Sequence, residues 1–341
     1  MMDVAKAAGV STATVSAVIN GISTRIPVSE ASHTKVKEAI RKLNYQVNEH
    51  ARSLRTGKSF TIGVVVSDIT QPFSGEMIRV VERVLCSRNY NFLLSDIQNN
   101  KEREHFYLQL FLQKKVDGIL FVGASNELDD HGIQDLLKAG IPVVLTEREV
   151  SEKNVPCVLV DNRKGGFMAT NHLIQQGHVH VTFITGPEKN VVSIKRLEGY
   201  KCALIQNKRE FLEERIIEGG ISLEDGYNAM RTLLNRTTVP TAVVAFNDTL
   251  ALGAMRAIKD KGLGVPEDIA VIGYDDIPMA SYCDPQLTTI RQPILRMCHE
   301  ATGLLLDILG KKYSRDYFKK TVLEPELVVR KSCGCGRQKS K

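Results

Sequence analysis

From Phe60 onward, short runs of Val, Ile and Leu recur along the chain, separated by amphipathic stretches. FTIGVVVSDI, YNFLLSDI, VDGILFVG and IPVVLTE read as strands, with helices between them starting near Gly75, Lys101 and Asp130. CVLVDN, VTFITG, RIIEGG, TAVVAFND and IAVIGYDD make a second such series. Strands that are apolar at nearly every position are covered on both faces, and strands alternating with helices build parallel sheets. Two series therefore predict two doubly wound α/β lobes. Ligands of such sheets sit beyond the carboxyl ends of the strands, here in the cleft between the lobes.

The first sixty residues have a different rhythm. Asp3 can cap a helix through Val4 and Ala8, Gly9 supplies a tight turn, and Ser11 can cap a second helix ending at Asn20. Within GVSTATVSAVIN, helical spacing puts Val15, Val18 and Ile19 inward and Thr12, Ala13, Ser16 and Ala17 outward. That outward face is small and barely polar. A third helix is expected from Ser32 to Leu43, with Val36, Ala39, Ile40 and Leu43 inward and Lys35, Lys37, Arg41 and Lys42 outward. Two short helices joined by a glycine turn and backed by a third form the helix-turn-helix pattern. A small helical cap without a ligand is the plainer alternative. The run NEHARSLRTGKS holds at most two helical turns after Asn48, too few to stand alone in water. It is either a linker or a hinge that folds only against its twin on DNA. In the second case Ala51 permits close approach, Leu54 is a wedge for the minor groove, and Arg52, Arg55 and Lys58 lie near phosphates.

Charge sharpens this division. The chain has 341 residues, 43% hydrophobic and 25% charged, with a net charge of +6. Nine Lys/Arg stand against four Asp/Glu in residues 1–60, and residues 331–341 hold four cations and no acid. A basic head on a mildly acidic body suits a head that meets a polyanion. Seven scattered cysteines do not form a disulfide framework, and no apolar run reaches membrane-span length. No secretory leader precedes the first helix, so the expected compartment is a reducing cytoplasm. Phosphate-binding loops, nucleophile elbows and strand-linked dinucleotide fingerprints are all missing, which argues against an enzyme. Neither a cofactor nor a metal is expected. The Cys333-Gly-Cys335 pair lacks the second pair that zinc needs, and reads as part of an exposed basic tail.

Polar residues gather at the predicted strand ends. Gln71 to Ser74 follow the first strand, Glu147 and Arg148 end the fourth, and Asp161 and Asn162 begin the crossover into lobe two. Asn247 and Asp248 end VVAFND, and Asp275 and Asp276 end VIGYDD. Acids and amides in such places suit the hydroxyls of a small polar ligand. Some of them also cap helices, as expected of Asp248 before Thr249 and Leu250.

These pieces together resemble one family. DVAKAAGVSTATVSAVING, LNYQVNEHARSLRTGKSFTIGVVVSDITQPF, VDGILFVG, IPVVLTER, VLVDNRKGG, ITGP, RLEGY and the run from PTAVVAFNDTLALG to TTIRQP are similar, in order, to the lactose/galactose-repressor (LacI/GalR) family. The resemblance implies a homodimeric transcriptional regulator, most simply a repressor of a carbohydrate-utilisation operon. It would bind a palindromic double-stranded operator under the control of a sugar or sugar derivative. It also implies a helix-turn-helix domain at 1–46, a hinge at 47–59, a core at 60–330 of periplasmic-binding-protein type, and a basic tail at 331–341. Lobe one would take 60–161 with 292–325, and lobe two 162–291 with 326–330. Carried over by motif, Thr12, Ala13 and Ala17 face bases, Ser11 and Thr14 face phosphates, and Ser16 and Asn20 complete that surface. Asn48, Ala51, Arg52, Ser53 and Leu54 are the hinge positions. Arg196, Asn247 and Asp275, with Phe73 and Glu147, match effector positions. Ala17 stands where many members place Arg or His, and Ile221 where many place an aromatic.

Overall fold

The computed structural model describes residues 1–20, 28–45, 57–123, 130–150, 155–314 and 317–334. The chain forms two compact units, Met1–Ser59 and Phe60–Lys341.

The first unit contains α1 (Met2–Ala8), α2 (Thr12–Asn20) and α3 (Glu30–Lys42). Gly9 closes α1 with φ 62°, a left-handed turn that glycine adopts without strain. Asp3 lies inside the first turn of α1 and does not cap it. Ser11 Oγ accepts a hydrogen bond from the Thr14 N–H at 3.1 Å and so caps α2. The third helix starts at Glu30, two residues before the expected Ser32, and Ser29 caps it by accepting from the Ser32 N–H. Val4, Ala5, Ala8, Val15, Val36 and Ala39 form the buried core that fixes the three helices together.

The second unit holds two six-stranded sheets. Lobe one is built from β1 (Thr61–Val66), β2 (Asn91–Asp96), β3 (Gly118–Val122), β4 (Val143–Thr146), β5 (Cys157–Val160) and β11 (Lys320–Leu323), in the order β11-β5-β4-β3-β1-β2, all parallel. Its helices are α4 (Pro72–Ser87), α5 (Lys101–Lys114), α6 (Asp130–Lys138) and α12 (Ile294–Leu309). Alternate strand residues serve opposite cores: Ile62, Val64, Leu120 and Val144 face α4 and α12, while Val65, Ile119, Phe121 and Leu145 face the other layer. CVLVDN, grouped by its apolar pattern with the second series but placed in lobe one by the bounds that the family resemblance implies, lies in the first sheet as β5. A doubly buried strand carries no sign of which sheet it joins.

Lobe two contains β6 (Val181–Thr185), β7 (Ile216–Glu218), β8 (Ala242–Ala245), β9 (Ala270–Asp275), β10 (Thr288–Arg291) and β12 (Glu326–Val328), ordered β12-β10-β9-β8-β6-β7. Only β12 runs antiparallel. Its helices are α7 (Asn162–Gln175), α8 (Val191–Gln206), α9 (Leu223–Leu234), α10 (Asp248–Asp260) and the short α11 (Met279–Tyr282). The chain passes between lobes three times, after Val160, after Arg291 and after Leu323. Among the described residues, no helix is long and apolar enough to cross a membrane.

The segment expected to open a basic tail is partly internal. Ser332 is fully buried and Cys333 is 1% exposed. Ser332 Oγ accepts from the Thr288 N–H at 2.8 Å and donates to the Val271 carbonyl, and its own carbonyl accepts from the Val271 N–H. The segment extends the edge of lobe two because these buried backbone groups need partners. Cys333 Sγ receives a hydrogen bond from Thr288 and lies 3.3 Å from His172 Nε2. Cys335 lies outside the described residues. Among those described, no group of three or more His, Cys, Asp or Glu is placed to hold a metal ion.

Two helix pairs in lobe two cross at glycines. A Cβ on Gly166 of α7 would overlap the Arg196 carbonyl of α8, and one on Gly253 of α10 would overlap the Leu223 carbonyl of α9. Backbone cannot give way as a side chain can. Gly166→Ala should therefore cost about 2 kcal/mol and lower the unfolding midpoint by several degrees. Gly303→Ala, in open space on α12, should instead raise the midpoint, because alanine favours helix by about 1 kcal/mol. Thermal unfolding of the two variants checks both signs; an unchanged midpoint for Gly166→Ala would remove the proposed clash.

Candidate functional site

All five effector positions read from the sequence line one cavity of about 660 Å³, mouth included, between the two lobes. Phe73 comes from the first turn of α4, and Glu147 follows β4 in lobe one. Arg196 comes from α8, Asn247 precedes α10, and Asp275 ends β9 in lobe two. Ser67, Asp68 and Gln71 add polar groups from lobe one; Val192, Ile221 and Ile277 add apolar surface from lobe two.

Arg196 is 3% exposed and spends its whole guanidinium on lobe two. Nε donates to Asn162 Oδ1 at 2.8 Å, Nη1 donates to the Phe246 carbonyl at 2.6 Å, and Nη2 lies 3.5 Å from Asp275 Oδ1. The guanidinium carbon sits 3.5 Å from the centre of the Tyr274 ring and 4.7 Å from that of Phe246. Planar stacking with fork-like donation explains why an arginine and not a lysine fits here. Asp275 takes a second hydrogen bond from Gln292 Nε2 at 2.8 Å. Gln292 lies on the second passage between the lobes, so this bond ties the cavity to the connecting chain.

Asn247, and not Asp248 as the sequence suggested, caps the helix that follows, while still lining the cavity. Asn247 caps α10, its Oδ1 accepting from the Leu250 N–H at 2.8 Å, with an extended backbone suited to that place. Asp248 is fully buried behind the cavity, where it accepts from Thr289 Oγ1 at 2.6 Å and from the Ile277 N–H at 2.8 Å. Asp276 points elsewhere and pairs with Arg291 and Arg330. Asp161 caps α7. Gln292, Asn190 and Asn162 were not singled out as effector positions. Gln292 carries a sequence signal, a lone amide between the strand TTIR and Pro293.

Three carboxyls crowd one arginine. Burial pushes Glu147 up to about 7; Arg196 and a Gln292 hydrogen bond oppose the rise, and Asp275 adds to it. Asp275 is raised to about 6 by burial, with Arg196 and Gln292 holding it down. Burial, then repulsion from Asp275, lifts Asp248 well above the carboxylate range. Glu147 Oε1 and Gln292 Oε1 are buried with no hydrogen-bond partner. Glu147 and Asp275 also hold left-handed backbones, φ 54° and 109°, which non-glycine residues adopt at a cost and which cluster at binding sites. The neighbouring Arg148 pins the Glu147 turn with a buried double hydrogen bond to Glu104, at 2.8 and 3.0 Å.

In the head, Thr12 and Ala13 are exposed, Ser11 is exposed, and Thr14 and Ser16 are half-buried. Ala17 is different. It is only 7% exposed, although it lies about 200° around the helix from the core residue Val15. The second helix is thus covered on two sides, and the open face narrows to Thr12 and Ala13. Asn20 closes α2. Asn48, Ala51, Arg52, Ser53 and Leu54 lie outside the described residues.

Comparison with known proteins agrees with both units. Residues 1–48 match the model for bacterial regulatory proteins of the lacI family, and residues 170–333 match that for a periplasmic binding protein-like domain. The chain is 37% identical over 334 residues to the HTH-type transcriptional repressor PurR of Pasteurella multocida (strain Pm70), covering 97% of each. It is similar to the solved complex of the transcriptional regulator CelR with cellobiose, at 36% identity and TM-score 0.72, covering 97% of this chain and 98% of that one. The lac repressor dimer bound to operator and the anti-inducer ONPF is 29% identical with TM-score 0.82, over the same shares.

The raised Glu147 carboxyl has a consequence for stability. It binds its proton more tightly in the folded chain, so stability falls as pH rises from about 4.5 to about 7 and then levels off. Glu147→Gln should abolish that loss. The variant should be more stable than the parent near pH 8, by about 3 kcal/mol at most, and equal to it below about pH 4.5. Denaturant unfolding across this range tests the point; parallel curves for the two proteins would rule it out.

Proposed function

Since the chain belongs to the lacI family of bacterial regulatory proteins, and is therefore a DNA-binding transcriptional repressor and not an enzyme, we propose that its interlobe cavity binds a sugar or sugar derivative and that this ligand controls a homodimer on a palindromic operator. The target is a carbohydrate-utilisation operon, and the protein works in the cytoplasm.

One observation carries the sugar reading. Asp275, Glu147, Arg196, Asn247 and Gln292 meet apolar Phe73, Ile221 and Ile277 in a single cavity. Each sugar hydroxyl both donates and accepts, so carboxylates and amides can satisfy it from both sides, while the C–H faces of the ring need apolar cover. The likeness to repressors named PurR favours a purine as second reading. A flat base asks for aromatic faces. Phe73 offers one, Phe246 is stacked under Arg196, and Ile221 supplies only an aliphatic surface.

Apolar side chains left open support the homodimer. Leu93 and Leu94 on the edge strand β2 are 42% and 38% exposed, and Met279 and Tyr282 of α11 are 50% and 88% exposed. Such groups are costly to leave in water and suit a self-complementary interface. For DNA, Thr12 and Ala13 present methyl groups that fit thymine methyls in the major groove.

A thermal-shift screen of neutral sugars, sugar acids, sugar phosphates and nucleobases tests the ligand. A sugar should stabilise the protein, and Asp275→Asn should weaken its binding at least tenfold, the usual loss for a bond to a charged group. Stabilisation by a nucleobase alone would replace the sugar with the second reading. Selection from a random duplex library should return a palindrome; a sequence without twofold symmetry would overturn the operator geometry.

A further inference from the structure

The end of lobe one at which β1 begins is basic. Each crossover helix runs against its strands, so the carboxyl ends of α4, α5, α6 and α12 collect where β1 to β4 start. Hydrogen bonds place these turns side by side. The Asn91 N–H donates to the Phe60 carbonyl, the Asp117 N–H to the Thr61 carbonyl, and the Ile119 N–H to the Pro142 carbonyl. Tyr90, Leu309 and Tyr313 pack on one core there. The four helix ends deliver Arg88, Lys114, Lys115, Lys138, Lys311 and Lys312, all exposed.

Few acids answer them. Asp135 pairs with Lys138 at 3.3 Å, Asp307 pairs with Lys312 at 2.7 Å, and Asp117 is held by the Phe60 N–H. Among the described residues, Arg88, Lys114, Lys115 and Lys311 form no ion pair. A cation in the last helical turn is the ordinary complement to the helix dipole, and this accounts for Lys114 and Lys138. It does not account for Lys115 and Lys311. Their φ values of 52° and 62° lie in the left-handed region, where glycine or asparagine ends a helix at lower cost. The matching turns of the same lobe use Asn89 and Gly140. Lysine at two such places departs from local preference, and departures of this kind gather at functional surfaces.

Phe60 stands on this same face, so the chain that joins the body to its DNA-binding head leaves from it. Residues 46–59 can span about 50 Å at most. DNA held by the head is thereby tethered to the body, and tethering makes a few weak contacts count. We propose that this face is a second DNA-contact surface, on which Arg88, Lys114, Lys115 and Lys311 hold the phosphate backbone beside the operator without reading its sequence.

The test uses the full-length chain and a variant carrying Lys114→Gln, Lys115→Asn and Lys311→Asn. Binding is measured against salt on random-sequence duplexes of about 20 and about 40 base pairs, where each neutralised phosphate contributes about 0.9 to the slope. The parent should show the steeper slope on the long duplex. The variant should lose about two to three of those slope units there, lose none on the short duplex, and keep its unfolding midpoint. Unchanged slopes on the long duplex would overturn the proposal and leave the face for an acidic protein partner. An equal loss on both duplexes would also overturn it, as a general effect of charge.

Discussion

The guanidinium of Arg196 is the contact on which the cavity depends. It draws together the start of α7 through Asn162, the end of β8 through the Phe246 carbonyl, and the end of β9 through Asp275. Three strand-to-helix turns are thus fixed by one planar group, which Tyr274 and Phe246 flank as π-faces. Gly166 makes this possible at the backbone level, since only a residue without Cβ lets α8 approach α7 at Arg196. The arginine organises the site more than it offers itself to a ligand: each of its nitrogens already has a partner within lobe two.

What remains for a ligand is a mixed polar lining. Asp275, Glu147 and the unpartnered oxygen of Gln292 stand among the amides and hydroxyls of Gln71, Asn99, Asn190 and Thr249, and Arg196 is committed to its own lobe. Glu147 belongs to lobe one, whereas Asp275 and Arg196 belong to lobe two. Bringing the lobes together therefore sets a carboxyl against a carboxylate at low dielectric, which is favourable only if a proton or a ligand donor lies between them. The Glu104–Arg148 pair keeps Glu147 from turning away to water. Burial, strained backbone and unmet hydrogen bonds coincide at this one place, while the rest of both sheets is regular.

Much of this was legible in the sequence because buried parallel strands write themselves as apolar runs. The strand ends followed from the runs, and five residues at those ends do meet in one cavity. What failed was whatever depends on a single torsion or on a distant partner. Asn247 and Asp248 are both competent caps, and only the extended backbone at Asn247 decides between them. CVLVDN looks like any other buried strand, and its sheet is settled by pairing with β4 and β11. Ala17 carries too little surface to betray its cover. Ser332 and Cys333 sit in a basic, glycine-bearing segment that reads as tail, yet unsatisfied backbone at the edge of lobe two draws them in. Gln292 was hidden because one amide between a strand and a proline reads as loop.

The arrangement of charge in lobe one connects these observations to control. Parallel strands send all their carboxyl ends to the cleft and all their starts to the opposite face. Acids and amides therefore line the cavity, while the ends of four helices bring cations to the face that carries Phe60. The three passages between lobes lie after Val160, Arg291 and Leu323, and the middle one bears Gln292, which touches the cavity acid Asp275. A ligand that alters how the lobes meet must act against these passages, and it can shift DNA affinity only by as much as it prefers one arrangement over the other. The basic face moves as a rigid part of lobe one, because its turns are the ends of helices packed on the sheet. With the proposed phosphate contacts in place, a rotation of lobe one would reach DNA twice, once through the chain leaving Phe60 and once through the same face.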